Sequence, residues 1–190
     1  DIRIYTNNKN EKYSKVIKVN DDQSKETIDF LNKSLSYLIF LPEMERLFQS
    51  SPSYRRNFID RLIFSSKNDY NKLVNKYKKL ILERLKILQN INSDDEWLAS
   101  IEKGISDLGL EIYHLRLSQI NAINSNINLL KNDHEFKFNT QLKIKDDFFN
   151  LDLTAEKYLS NLKDSRSYDR QYGGTKIGPH KSDIIAAINN

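Results

Sequence analysis

Two short stretches of this chain concentrate the residue types that hold anions and fix backbone direction. The first is Ser51-Pro52-Ser53-Tyr54-Arg55-Arg56-Asn57-Phe58-Ile59-Asp60, and the second is Gly174-Thr175-Lys176-Ile177-Gly178-Pro179-His180-Lys181-Ser182-Asp183. A guanidinium grips phosphate or carboxylate through two parallel hydrogen bonds, so Arg55 and Arg56 suit a DNA-backbone contact or an ion pair with Asp60 or a sheet residue. Both stand in the first turns of a helix capped by Ser51 and opened by Pro52, where the helix dipole disfavours cations. Something other than the dipole must favour them. In the second stretch the glycines permit unusual backbone angles and Pro179 fixes its own, so His180 is held in a defined direction. Contact with DNA, with nucleotide or only with the sheet all fit such a histidine, and Lys181 beside it adds a cation for phosphate.

A third group of cations is spread along a helix. Lys72, Lys76 and Lys79 recur on the face opposite an apolar stripe, and two readings stand: a phosphate-tracking surface or a solvated face. Arg84 falls inside the apolar arc instead. A buried arginine demands a partner, and Asp107 or Glu111 on the next helix is the expected one. Catalytic groupings are not visible. Gly104 and Gly109 have the glycine spacing of a phosphate loop, but Leu110-Glu111 follows where Lys-Ser or Lys-Thr is required. Glu111-x-x-His114 occurs once where a di-metal bundle needs two copies, and His134 has no matching ligand partner. No serine-histidine-aspartate set suggests hydrolysis.

Taken in order, Phe40-Leu41-Pro42-Glu43-Met44, the Ser51 to Asp60 stretch and the Gly174 to Asp183 stretch resemble the bacterial RecF family of DNA-repair ATPases. Met44 stands where the family has an aspartate, and Lys181-Ser182 where it has arginine-aspartate. The resemblance covers nearly the whole chain. It implies an α+β fold: part of an ABC-type ATPase head sheet interrupted by a long antiparallel helical arm. It implies strands of the head at 1–42, an arm similar to the family's lobe II at 43–131, and a return to the head sheet with a short helix at 132–190. It also implies a protein that binds DNA at gaps, dimerises with ATP, and helps load recombinase with the partners RecO and RecR. By resemblance Glu43 could sense nucleotide or magnesium; as a first-turn glutamate it would equally favour its helix dipole. The family's ATP chemistry needs a Walker A loop, a Walker B acidic pair and a signature loop from a second subunit, none of which is visible here. ATP and magnesium therefore belong to the longer protein, and no cofactor is expected in this chain. The rival reading is a non-enzymatic helical-hairpin adaptor that binds another protein.

Composition sets the bounds on these readings. The 190 residues carry 30 basic and 26 acidic side chains, and a net charge of +4 does not by itself identify a nucleic-acid binder. Distribution matters more, because seven basic residues against two acidic ones fall between Lys67 and Asn90. Without cysteine there are no disulfides and no thiolate metal sites. No apolar run reaches the roughly 20 residues that cross a bilayer, which points to a soluble, cytoplasmic protein. The start at Asp1 and the stop at Asn190 after an apolar run suggest an excised fragment.

The elements that must position these residues follow from periodicity. Ile2 to Tyr5, Val16 to Val19 and Leu35 to Leu41 read as strands, with a helix over Ser24 to Asn32. Asp69 to Ile91 has one broad apolar face. After a break at Asn92 to Asp95, with Ser93 and Glu96 as a capping box, a second striped helix runs from Glu96 to about Leu130, roughly 50 Å long. A short loop between two striped helices packs them antiparallel, with Trp97 against Leu88 or Ile91. Glu135 to Lys145 alternates as a strand pair, Thr154 caps a helix to Lys163, Arg166 to Tyr172 reads as a polar mobile segment, and Lys176-Ile177 and Ile184 to Ile188 read as returning strands.

Overall fold

The computed structural model describes residues 1–9, 12–35, 42–90, 94–133 and 139–189, with a few side chains inside these elements, Glu43 among them, left outside the described set. The chain divides into two compact units, Asp1–Ile39 and Phe40–Asn190.

In the first unit β1 (Ile2–Lys9) and β2 (Lys12–Val19) pair antiparallel with Ile2 opposite Val19. Asn20 and Asp21 then turn the chain at positive φ, as residues with short polar side chains tolerate best. The Asp22 carboxylate accepts from the Ser24 backbone N–H (2.8 Å) and the Thr27 hydroxyl, which opens α1 (Lys25–Ser34) with Ser24 as its cap. These hydrogen bonds, that of Thr27 foremost, hold Asp22 down at about 2. Beyond Leu35, the expected third strand lies outside the described residues.

The second unit is mainly helical. A 3-10 helix over Pro42–Gln49 leads to α2 (Pro52–Ser66), whose Ser51 side chain accepts from the Tyr54 N–H as the sequence predicts. Next come α3 (Tyr70–Gln89) and α4 (Asp95–Asp133), the latter 39 residues and so about 58 Å long. The structure confirms the antiparallel hairpin. A methyl group built on Gly104 would meet Leu80, and one on Gly109 would meet Tyr77, so positions descend along α3 as they ascend along α4. Ser93 lies outside the described residues; the Asp94 carboxylate accepts from the N–H groups of Glu96 (2.9 Å) and Trp97 (3.1 Å) and caps α4.

Four expectations are corrected here. Trp97 is 51% exposed and Leu98 only 2%, because the buried stripe runs through Leu98, Ile105 and Ile112 at heptad spacing and Trp97 stands one position off it. Of Glu135 to Lys145, expected as a strand pair, residues 135–138 lie outside the described residues, and the rest form one strand, β3 (Asn139–Lys145), whose partner is β4 (Asp183–Asn189), with Leu142 opposite Ala186. Arg166 to Tyr172 is a helix, α6, following α5 (Ala155–Asp164). Lys176-Ile177 forms no strand; the Lys176 N–H is drawn to the Asp169 carboxylate at 3.1 Å. Thr154 does cap α5, accepting from the Lys157 N–H.

The core of this unit is built where α2, α3, α4 and α5 meet, around Ile59, Tyr77, Ile105, Ile112, Tyr158 and Leu162. Burying each such side chain favours folding by about 1.5–3 kcal/mol. Among the described residues every buried side-chain nitrogen and oxygen has a hydrogen-bond partner. No helix among them is long and apolar enough to cross a membrane.

Candidate functional site

The turn from Thr175 to Asp183 is inserted into the junction of α2, α3, α4 and α5, and its side chains explain how. Gly178 has φ +122, and a Cβ there would run into the hydroxyls of Tyr158 and Tyr77. Only glycine fits both the angle and the space. His180 then lies against Tyr77. Its Nε2–H donates to the Thr175 carbonyl at 2.9 Å, which leaves Nδ1 to accept from the Tyr77 hydroxyl at 2.8 Å. The Tyr158 hydroxyl, 3.3 Å from that of Tyr77, completes the chain. Burial lowers His180 to about 4, the Thr175 carbonyl opposing and Lys181, Arg56 and Arg116 adding repulsion. It is neutral at pH 7. With both ring nitrogens engaged, His180 works as a brace for the turn and has no N–H left for a phosphate.

Three arginines fasten the same turn. Arg55 makes a two-pronged pair with Asp183, Nε to Oδ1 and Nη2 to Oδ2, both 2.8 Å. Its remaining donors go to the carbonyls of Phe48 and Ser50. The Asp183 hydrogen bond raises Arg55, and Arg55 holds Asp183 below the usual carboxylate range. Arg56 donates to the Ser182 carbonyl at 2.6 Å. Arg116 reaches from α4, fork to fork onto Asp60 (2.9 Å twice) and onward to the Pro179 carbonyl (2.5 Å). The Tyr70 hydroxyl shares Asp60 at 2.6 Å. Burial opposes the Arg116 charge, but the Asp60 hydrogen bonds outweigh it and its pKa is raised. The Ser182 hydroxyl donates to the Pro179 carbonyl at 3.0 Å, closing the turn locally.

Arg84 organises a second, deeper junction. Its partners are Glu102 (3.0 Å) and Asp169 (2.6 Å), with the Thr175 and Ser165 hydroxyls and the Leu162 carbonyl completing the set. Neither Asp107 nor Glu111, the expected partners, takes part; both are exposed. The register explains the correction: with Leu80 level with Gly104 and Tyr77 level with Gly109, Arg84 faces Glu102. Arg166 of α6 also pairs with Glu102, at 2.7 Å. Gly104 and Gly109 are packing positions within α4, where a Cβ on Gly109 would lie 2.7 Å from the Tyr158 ring.

Lys72, Lys76, Lys79 and Lys181 are all exposed, with Lys72 held to Asp69 at 2.8 Å in a surface pair. Glu43 falls in the 3-10 helix. Arg116, Tyr77, Tyr158 and Asp169 were not singled out as site residues by sequence reasoning. Arg116 had a readable signal, since it interrupts the apolar series Ile112 and Ile120 as Arg84 interrupts its own.

No family model matches the chain. Individual proteins do. The DNA replication and repair protein RecF of Rickettsia felis (strain ATCC VR-1525 / URRWXCal2) is 33% identical over 171 residues, covering 86% of this chain and 46% of the relative. That of Clostridium novyi (strain NT) is 33% identical over 202 aligned positions, covering 100% of this chain and 51% of the relative. The solved structure of the recombination mediator protein RecF-ATP in the RecFOR pathway superposes with a TM-score of 0.73 at 26% identity, covering 93% of this chain and 49% of that one. A second, of RecF-ATPrS, gives the same TM-score at 24% identity over 98% of this chain and 52% of that one, a likeness of fold. The class is thus an α+β chain that shares the fold of the solved RecF structures, with a long helical hairpin lying in sequence between its strand pairs. The chain belongs to the RecF family. It spans about half the length of the curated relatives it matches.

Proposed function

We propose that this chain is the arm-bearing part of a RecF-type DNA-binding ATPase that acts in DNA replication and repair, binding DNA at gaps and helping to load recombinase. In this reading the longer protein binds ATP and magnesium, dimerises with ATP and works with RecO- and RecR-like partners. The chain's own contribution is DNA contact and the mechanical link between arm and head. The observation that carries the reading is the 33% identity to curated RecF proteins over 86% or more of the chain. Supporting it, Lys76 and Lys79 project into solvent from α3 without a carboxylate partner among the described residues, and the Lys72 pair with Asp69 is the kind that contributes little. Cations on one helix face meet successive phosphates and bind without reading bases. Lys181, exposed, and Arg56, half-buried, extend the same chemistry, whereas Arg55 and His180 serve it by holding the turn. Glu43, at the entry to the arm, is the residue proposed to respond to nucleotide or magnesium.

The test is a titration of gapped duplex, intact duplex and single-stranded DNA against the full-length protein, with and without ATP and magnesium. Preference for the gapped duplex, strengthened by ATP and weakened steeply by salt, supports the reading. A protein that binds none of these DNAs but forms a salt-insensitive complex with another protein is the adaptor instead.

A further inference from the structure

A cleft between α2 and α3 collects cations that the arm's apolar packing does not use. Two adjoining hollows, of about 220 and 90 Å³, share Asn57, Asp60, Val74 and Lys78 as walls and so form one cleft. Helical spacing builds it: Asn57 and Arg61 stand one turn apart on α2, and Asn71 and Lys78 two turns apart on α3. Lys78 thus points away from the Lys72, Lys76 and Lys79 stripe, into the cleft. Arg56 closes its inner end. Asp60 is the acid at its floor, and that charge is already met by the two-pronged bond from Arg116.

Among the described residues, no carboxylate lies within ion-pair distance of Arg56, Arg61 or Lys78. Arg56 is half-buried with only a carbonyl as acceptor, and burial first, then the neighbouring Arg116, work against its charge, which Asp60 and Asp183 offset only in part. A guanidinium in that position is stabilised by an incoming anion. Asn57 and Asn71 supply amide donors on either wall. Three cations outside any ion pair and two amides converge on the hollow and match a phosphate oxygen cluster, with Phe64, Tyr70 and Val74 forming the apolar side of the cleft.

We propose that this cleft seats a backbone phosphate of duplex DNA, held by Arg61 and Lys78 at its mouth and Arg56 at its base. The proposal rests on the DNA-binding reading above and adds to it a specific seat, distinct from the exposed lysine stripe. Because Arg56 also holds the Ser182 carbonyl, a phosphate seated there touches the same side chain that fastens the Thr175 to Asp183 turn.

The experiment compares full-length parent protein with Arg61→Gln/Lys78→Gln, two exposed positions whose replacement leaves the core intact. Duplex DNA is titrated across a salt series, ATP is titrated in parallel, and thermal melting checks the fold. The expected result is at least a ten-fold loss of duplex affinity, a salt slope shallower by about one to two, and unchanged melting and ATP affinity. Equal duplex affinity and slope in parent and variant overturn the seat while leaving DNA binding itself standing. A loss confined to ATP also overturns it, since the phosphate would then be a nucleotide's. If the parent binds single-stranded DNA but no intact or gapped duplex, the seat alone fails; if it binds none of these DNAs at any salt concentration, the seat and the DNA-binding reading fail together.

Discussion

Arg84 and Asp169, 85 residues apart in sequence, meet at 2.6 Å with both side chains fully buried, and through them the middle of the helical hairpin is locked to α6. Glu102 enters the same cluster and is itself held by Arg166. A buried ion pair contributes little net stability over an apolar replacement of the whole set, but removing one partner strands the others.

Arg84→Met therefore leaves Glu102 and Asp169 buried without their shared cation, and urea unfolding followed by helical circular dichroism should show a loss of about 3–5 kcal/mol. A loss under about 1 kcal/mol would mean that the cluster is not the lock described here.

Gly178→Ala combines a positive φ with a collision against the Tyr77 and Tyr158 hydroxyls. The expected cost is about 2–4 kcal/mol, set against about 0.5 or less for Gly174→Ala, where a Cβ meets nothing and φ is ordinary. Equal effects at the two positions would contradict the packing of the turn.

Acid should loosen the turn through His180. A histidine whose folded value is about 4, against 6.5 when free, holds fewer protons in the folded state than in the unfolded one. Its contribution is whole above pH 6.5 and is lost as pH falls toward 4, about 3 kcal/mol across that window. Asp183, held low by Arg55, adds a further loss at lower pH. Stability measured in steps from pH 7 to 4 should fall more steeply in the parent than in His180→Gln; parallel curves would rule out the histidine as the cause.

The hairpin register is checked by a pair of truncations. Leu98→Ala should destabilise by about 2–4 kcal/mol and Trp97→Ala by less than about 1, in keeping with their burial. The reverse order would restore the register expected from sequence.

Local signals were the legible ones. Ser51 with Pro52 and Thr154 announced their helices because a cap depends on residues within a turn of it. The two striped helices and their antiparallel packing were also readable, since an apolar face must be covered. What sequence could not supply was which long-range partner a buried charge finds. Arg84 was recognisable as buried, but its choice of Glu102 depends on the hairpin register and that of Asp169 on the path of α6. That segment looked loose because it is polar; a single fully buried aspartate, Asp169, anchors it. Arg55 and Arg56 drew attention as phosphate ligands, and Arg55 proved committed to Asp183, one of the outcomes that guanidinium geometry allowed. The cleft went unread because Arg61 and Lys78 converge only once α2 and α3 are packed.

The central claim, that the arm carries DNA contact, is tested most directly by the salt dependence of duplex affinity in the full-length protein bearing Lys72→Gln, Lys76→Gln and Lys79→Gln. All three side chains are exposed, so the variant should melt like the parent. The account predicts weaker binding, at least ten-fold at about 0.1 M salt, with a slope of log affinity against log salt shallower by about two to three. A variant that melts like the parent and binds with the same affinity and the same slope would show that the arm's lysines are solvated surface and that DNA follows another path.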